Sequence, residues 1–168
     1  RPWRPTARRA PLYPALLSFA AGPEESPGRA RGLNALLAVL TILLAYGLAA
    51  RAHSSLAGLA ASGFVAVNSA LAAWSGTVFI ETAYAFLVLL AAAALAEWSL
   101  RQDERSSAVL GLVAGASLLC RSNLFAVPVA AAAWLLRRQG RAGGRAAALL
   151  LACAALPQAP WTLRNALQ

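Results

Sequence analysis

The chain has 168 residues, of which 60% are hydrophobic and only 12% charged, with a net charge of +9 and a mean hydropathy of +0.60. Water-soluble domains carry about 25% charged residues, so the deficit excludes a soluble fold of this size. Every basic residue is an arginine. These arginines punctuate apolar runs and do not gather on one face, which favours membrane topology and headgroup contact over nucleic-acid binding.

The sequence contains no methionine, even at position 1, and is expected to be an internal piece of a larger protein. Residues 1–31 differ from the rest. Arg1 to Arg9 is basic, and Ala10 to Ala20 is an apolar run behind prolines, too short to span a bilayer and suited to an interfacial helix or re-entrant segment. Gly22 to Arg31 reads as a loop. Residues 32–168 then read as an all-α, polytopic transmembrane bundle of about six hydrophobic helices, two of them short.

Gly32 to Ala50 is uncharged and Leu-rich, a transmembrane helix. Ala52 to Ala96 is long enough for two spans, with Ser69 to Thr77 as the break and Glu81 about one turn into a helix that begins near Val78. Ser106 to Leu136 reads as two short helices meeting at the polar corner Arg121-Ser122-Asn123, with Pro128 tolerable in the second. Ala146 to Leu163 is the last span. It is expected to stop at Pro157 and Pro160 and to present Trp161, Arg164 and Asn165 at the membrane surface. Cys120 and Cys153 lie in apolar stretches and read as buried thiols.

Arginine placement suggests an orientation. With the N-terminal segment outside, the inner loops hold Arg51, Arg101, Arg105, Arg137, Arg138, Arg141 and Arg145, against Arg121 and Arg164 in the outer ones. Seven against two follows the positive-inside rule, although the basic N-terminal segment opposes it. Tyr13, Glu81, Arg121 and Trp161 to Asn165 then all reach the external side.

These residues are the candidates for chemistry. An intramembrane carboxylate is costly and suggests function, although Glu81 also fits a helix start stabilised by the macrodipole. Arg121 suits a phosphate or carboxylate clamp and equally a snorkelling anchor of a helical hairpin. Arg164 and Asn165 either anchor a helix end or are aimed by the rigid turn before them. Tyr13 is an interfacial aromatic or a site residue. Asn34 and Asn68 read as interhelical hydrogen-bond partners, His53 as a surface residue and Asp103 as a solvated loop charge. There is no glycine-rich phosphate loop, metal-ligand cluster or Ser-His-Asp arrangement, and no complete acid/base pair. The pattern points to an enzyme that handles a lipid phosphate. A transporter or lipid flippase with Glu81 and Arg121 lining its path, or a non-catalytic scaffold, are the alternatives.

Five passages carry a family likeness: Arg9-Ala-Pro-Leu-Tyr13-Pro, Arg31-Gly-Leu-Asn34-Ala-Leu, Trp74-Ser-Gly-Thr-Val-Phe-Ile-Glu81-Thr-Ala-Tyr84, Gly111 to Ser122, and Pro160-Trp-Thr-Leu-Arg-Asn165. In order and spacing the chain resembles the GT-C class of glycosyltransferases, in the branch of protein O-mannosyltransferases and lipid A aminoarabinose transferases. The resemblance implies a sugar donor on a polyprenyl phosphate. It also implies an acceptor hydroxyl on protein, lipid or polysaccharide, and attack at the external face of a bacterial inner membrane. It makes Glu81 the second acidic residue of the catalytic site, holding the acceptor or a divalent metal. Arg121 and Arg164 match arginines near the donor phosphate, and Tyr13, Trp161 and Asn165 lie in the matching substrate-binding passages. The base is implied in an acidic stretch just before Pro11 that this sequence does not contain. Ala10, Arg8, Ser69 and Ser122 depart from the family pattern, and the arginine at 8, where relatives carry an acid, weakens the case for a metal.

Overall fold

The computed structural model describes residues 10–22 and 26–167; the basic segment with Arg8 and Arg9 lies outside them. The described residues form helices joined by short turns, with no strand among them, and they fall into two compact units, one of residues 15–22 and 26–101 and a second of residues 10–14 and 102–167.

Many large apolar side chains face outward, and a few uncharged polar ones are buried with the apolar core. On α2 (Pro27–Ala52), Leu36, Val39 and Leu43 are each more than half exposed, whereas Asn34 and Thr41 are buried. A helix apolar on its outer face belongs in lipid. Three helical stretches among the described residues are long and apolar enough to cross a membrane: Pro27–Ala52, Ile80–Arg101 and Asn123–Ala166. The protein is an all-α integral-membrane bundle. The six expected hydrophobic helices all form, but several are too short to cross alone.

The first unit holds most of α1 (Leu12–Ala21), then α2, α3 (Ser55–Ala66), α4 (Ser69–Ser75) and α5 (Ile80–Arg101). Two starts differ from expectation. The supposed loop 22–31 ends early, because Pro27 occupies the first turn of α2, where its missing N–H costs nothing; Arg29 and Arg31 are therefore helical. The break expected at Ser69–Thr77 contains α4, because the Asn68 side chain accepts from Leu71 N at 3.0 Å and restarts the helix there.

The helices α2 and α5 run parallel. Near their starts, Asn34 Nδ2 donates to the carbonyls of Thr77 (2.7 Å) and Phe79 (3.2 Å). At their ends, Arg51 reaches Glu97 at 3.1 Å, and Arg101 pairs with the same carboxylate. The chain between them must climb back along α2 from the level of Arg51 to that of Asn34, about 26 Å at 1.5 Å per residue. Helices α3 and α4, bent by 62°, make that climb. The pair is thus a broken span and not a re-entrant loop. Gly58 seats α3 on α2: a Cβ there would stand 2.9 Å from both the Ala50 Cβ and the Tyr46 carbonyl.

The second unit repeats the arrangement with α6 (Glu104–Leu118), α7 (Ala126–Gln139), α8 (Gly144–Ala155) and α9 (Ala159–Ala166). Asp103 caps α6 by accepting from Ser106 N at 2.8 Å. The expected corner between two short helices is present, as a 3-10 turn at Ser122–Phe125. The run Asn123–Ala166 is not one rod. Gly140 turns the chain with φ +56°, and a Cβ on Gly143 would lie 2.9 Å from the Leu135 carbonyl, so α8 folds back against α7. Glu104 meets Arg145 at 3.1 Å and Gly111 and Gly115 lie against residues 150–157, so α6 and α8 run parallel and very close. Helix α8 ends at Ala155, just ahead of the prolines as expected, but helical structure resumes after them. Pro157 and Pro160 each fall in the first turn of a new segment, and the chain continues through a 3-10 turn into α9.

A side chain at Gly111 would drive its Cβ into the Leu150 carbonyl and to 2.9 Å from the Cys153 Cβ. Gly111→Val is expected to cost about 1–3 kcal/mol, read as a lower unfolding temperature in detergent. Gly32→Ala, where nothing lies within 4 Å, should leave it unchanged or slightly raised. The broken span predicts that cysteines replacing His53 and Gly76, in a background lacking Cys120 and Cys153, label with impermeant maleimide from opposite sides of the membrane. Labelling of both from one side would make α3 and α4 a re-entrant loop.

Candidate functional site

In the first unit the site is built around the start of α5. Glu81 sits in the first turn, where unpaired N–H groups and the positive end of the helix dipole favour a carboxylate. Its side chain is half-buried, and Oε2 is shut off from solvent. Beside it Thr82 is wholly buried, and its Oγ1 has no hydrogen-bond partner among the described residues. Asn34, also wholly buried, fastens the approach to α5 through the Thr77 and Phe79 carbonyls. Trp74, Val78 and Phe79 leave much of their apolar surface exposed at this end.

In the second unit the candidates cluster around the end of α6. Leu12 N donates to the Leu119 carbonyl at 3.1 Å, which ties the Pro11–Pro14 passage to the corner and places the buried Tyr13 one residue from that bond. Cys120 is buried; Arg121 turns out of the helix with extended backbone (φ −151°, ψ 140°) and an exposed side chain, while its N–H still donates to Ser117 O at 2.8 Å. A cation at a helix C-terminus sits against the free carbonyls. One turn back, Gln158 Nε2 donates to Gly115 O at 2.7 Å.

On α9, Trp161, Arg164 and Asn165 stand at i, i+3 and i+4, one face of the helix. The Arg164 guanidinium carbon lies 5.1 Å from the centre of the Trp161 ring, within cation–π range. Asn165 Oδ1 is buried with no partner among the described residues. The turn expected to aim these side chains is thus a helix, and the Trp161 ring steadies the guanidinium.

The structure therefore joins the Tyr13 passage to the Arg121 corner and joins Trp161 to Arg164. Glu81 belongs to the other unit; of the two asparagines expected to bond between helices, Asn34 ties α2 to the turn before α5, and Asn68 instead caps its own helix. Gln158 was missed, although an amide between two prolines in an otherwise apolar span is itself a signal of an interhelical bond. Among the described residues no three His, Cys, Asp or Glu side chains stand together as metal ligands. Glu81 by itself does not make a metal site. What the arrangement offers is a shielded carboxylate in one unit and exposed guanidiniums in the other.

No curated protein and no solved structure matches the chain. One family model, described as dolichyl-phosphate-mannose-protein mannosyltransferase, matches residues 9–163. The match takes in Tyr13, Glu81, Arg121 and Trp161, and stops one residue short of Arg164. Covering nearly the whole length, it shows that the chain belongs to the dolichyl-phosphate-mannose-protein mannosyltransferase family, membrane glycosyltransferases of the GT-C type.

Proposed function

We propose that the protein transfers a sugar from a polyprenyl-phosphate donor to a hydroxyl of a protein, lipid or polysaccharide acceptor, at the extracytoplasmic face of a bacterial inner membrane. Residues 1–31 belong to its first external loop and 32–168 to its transmembrane bundle. The observation that carries the reading is the Glu81 carboxylate, shielded from water in the first turn of a membrane helix, in a chain of this family. The family match favours transfer over the transporter reading.

In an inverting transfer the acceptor oxygen attacks the anomeric carbon, the bond from that carbon to the phosphate oxygen breaks, and the acceptor proton passes to a base. The resemblance implies an acidic residue of the first external loop as that base; residues 1–10 contain none. Glu81 accepts a hydrogen bond from the acceptor and orients it. Arg121 and Arg164 neutralise the charge that grows on the departing lipid phosphate, a task suited to the planar guanidinium. Trp161 holds the Arg164 fork by stacking, and Tyr13 and Asn165 line the same substrate-binding passages.

The test uses membranes carrying the complete protein, supplied with polyprenyl-phosphate [3H]mannose, with label counted in the lipid-extracted residue and in glycolipid separated from donor in the extract. Glu81→Gln is expected to lower transfer by about 100-fold or more with membrane insertion unchanged. Arg121→Gln should lower it by at least about tenfold, chiefly through kcat. Full activity of Glu81→Gln removes Glu81 from the mechanism.

A further inference from the structure

The sequence pattern expects α5 to begin near Val78, yet it begins at Ile80. The side chain that accounts for the difference is 43 residues away from Thr77 in the chain. Asn34 is 0% exposed, and its amide nitrogen donates to Thr77 O at 2.7 Å and Phe79 O at 3.2 Å. An amide nitrogen has two hydrogens to give, and here both go to backbone carbonyls of one short approach. Two anchored carbonyls two residues apart fix the peptide planes between them, and Glu81 follows two residues after the second.

The position of the helix start matters to the carboxylate. In the first turn Glu81 lies beside N–H groups with no intrahelical acceptor. If the helix began two residues earlier, Glu81 would leave that turn and lose most of the dipole's favour, which falls off within the first turn. The Phe79 carbonyl already accepts the first bond of α5, but water is scarce inside a bilayer, so the Thr77 carbonyl released by Asn34 would seek a helical partner, and the nearest is the Glu81 N–H, which extends α5 backwards.

We propose that Asn34 is a positioning residue for sugar transfer: by holding the Thr77 and Phe79 carbonyls it sets where α5 starts and where the Glu81 carboxylate stands. The inference rests on the reading of Glu81 given above. It assigns Asn34 no contact with substrate. Its loss therefore acts on the catalytic step and leaves the KM for the donor nearly unchanged.

The experiment compares Asn34→Leu, which keeps the volume and removes both donors, with Glu81→Gln and with the double variant. It follows kcat and KM for polyprenyl-phosphate mannose in membranes and the amount and unfolding temperature of the detergent-extracted protein. Expected are a fall of about 10- to 100-fold in kcat for Asn34→Leu, a KM within about twofold, and less than about twofold further loss when the change is added to Glu81→Gln. Wild-type kcat in Asn34→Leu, or the same fractional loss in both backgrounds, overturns the proposal while leaving Glu81 in place. Full activity of Glu81→Gln overturns the underlying reading and this proposal together. If Asn34→Leu does not accumulate, Asn34→Asp, which keeps the shape and when protonated one donor, takes its place. Failure of both to accumulate assigns Asn34 to the fold alone and overturns the proposal.

Discussion

A backbone carbonyl or N–H left open toward hydrocarbon costs several kcal/mol, and this protein breaks its helices often. The breaks are closed by side chains. Ser54 accepts from Ala57 N, Asn68 from Leu71 N and Asp103 from Ser106 N. Asn34 serves the carbonyls before α5, and Gln158 serves Gly115 O beside the proline turn. Each closure allows the chain to bend where a continuous helix would be the default in lipid. The bends place the ends of α5, α6 and α9 where charged and amide side chains can stand clear of the apolar faces.

The second constraint is distance between helices. Lipid tails are as apolar as leucine, so association within a membrane depends on close packing and on hydrogen bonds between helices. Gly111 and Gly115 let α6 lie against the backbone of α8, near enough for Gln158 to reach the Gly115 carbonyl. The same closeness ties the proline turn to the helix that ends just ahead of Arg121. Gly58 does the equivalent work between α3 and α2, where the return of the broken span has to pass beside Ala50 and Tyr46.

Much of the fold could be read from residue order. Long apolar runs gave the α2 and α5 spans, and the Arg121-Ser122-Asn123 interruption gave the corner, because charges and small polar clusters are excluded from lipid-facing helix centres. What could not be read depends on local chemistry or on distant partners. Pro27, Pro157 and Pro160 read as breakers, yet a proline in a first turn starts a segment as readily as it ends one, so α2 began early and α9 was unforeseen. Asn68 restarts a helix with its own side chain, which a hydropathy pattern does not register. The candidate residues could be named because buried charges are rare in membranes. Their supports could not, since Asn34 and Gln158 act on carbonyls 43 residues away in the chain.

The two kinds of candidate group differ in how they are held, and the proposed chemistry gives a reason. A carboxylate that orients an acceptor hydroxyl has to stay within a fraction of an ångström of one place, since misplacement by about 1 Å can cost 100-fold in rate. Glu81 has the matching surroundings: a half-buried side chain, a helix start fixed by Asn34 and the wholly buried Thr82 next to it. A cation that follows a phosphate on a long lipid needs reach more than fixity. Arg121 and Arg164 are exposed, and Arg164 is steadied by the Trp161 ring. Rigid backbone under the carboxylate and exposed guanidiniums at helix ends are what transfer from a membrane-borne phosphate asks of these two residue types.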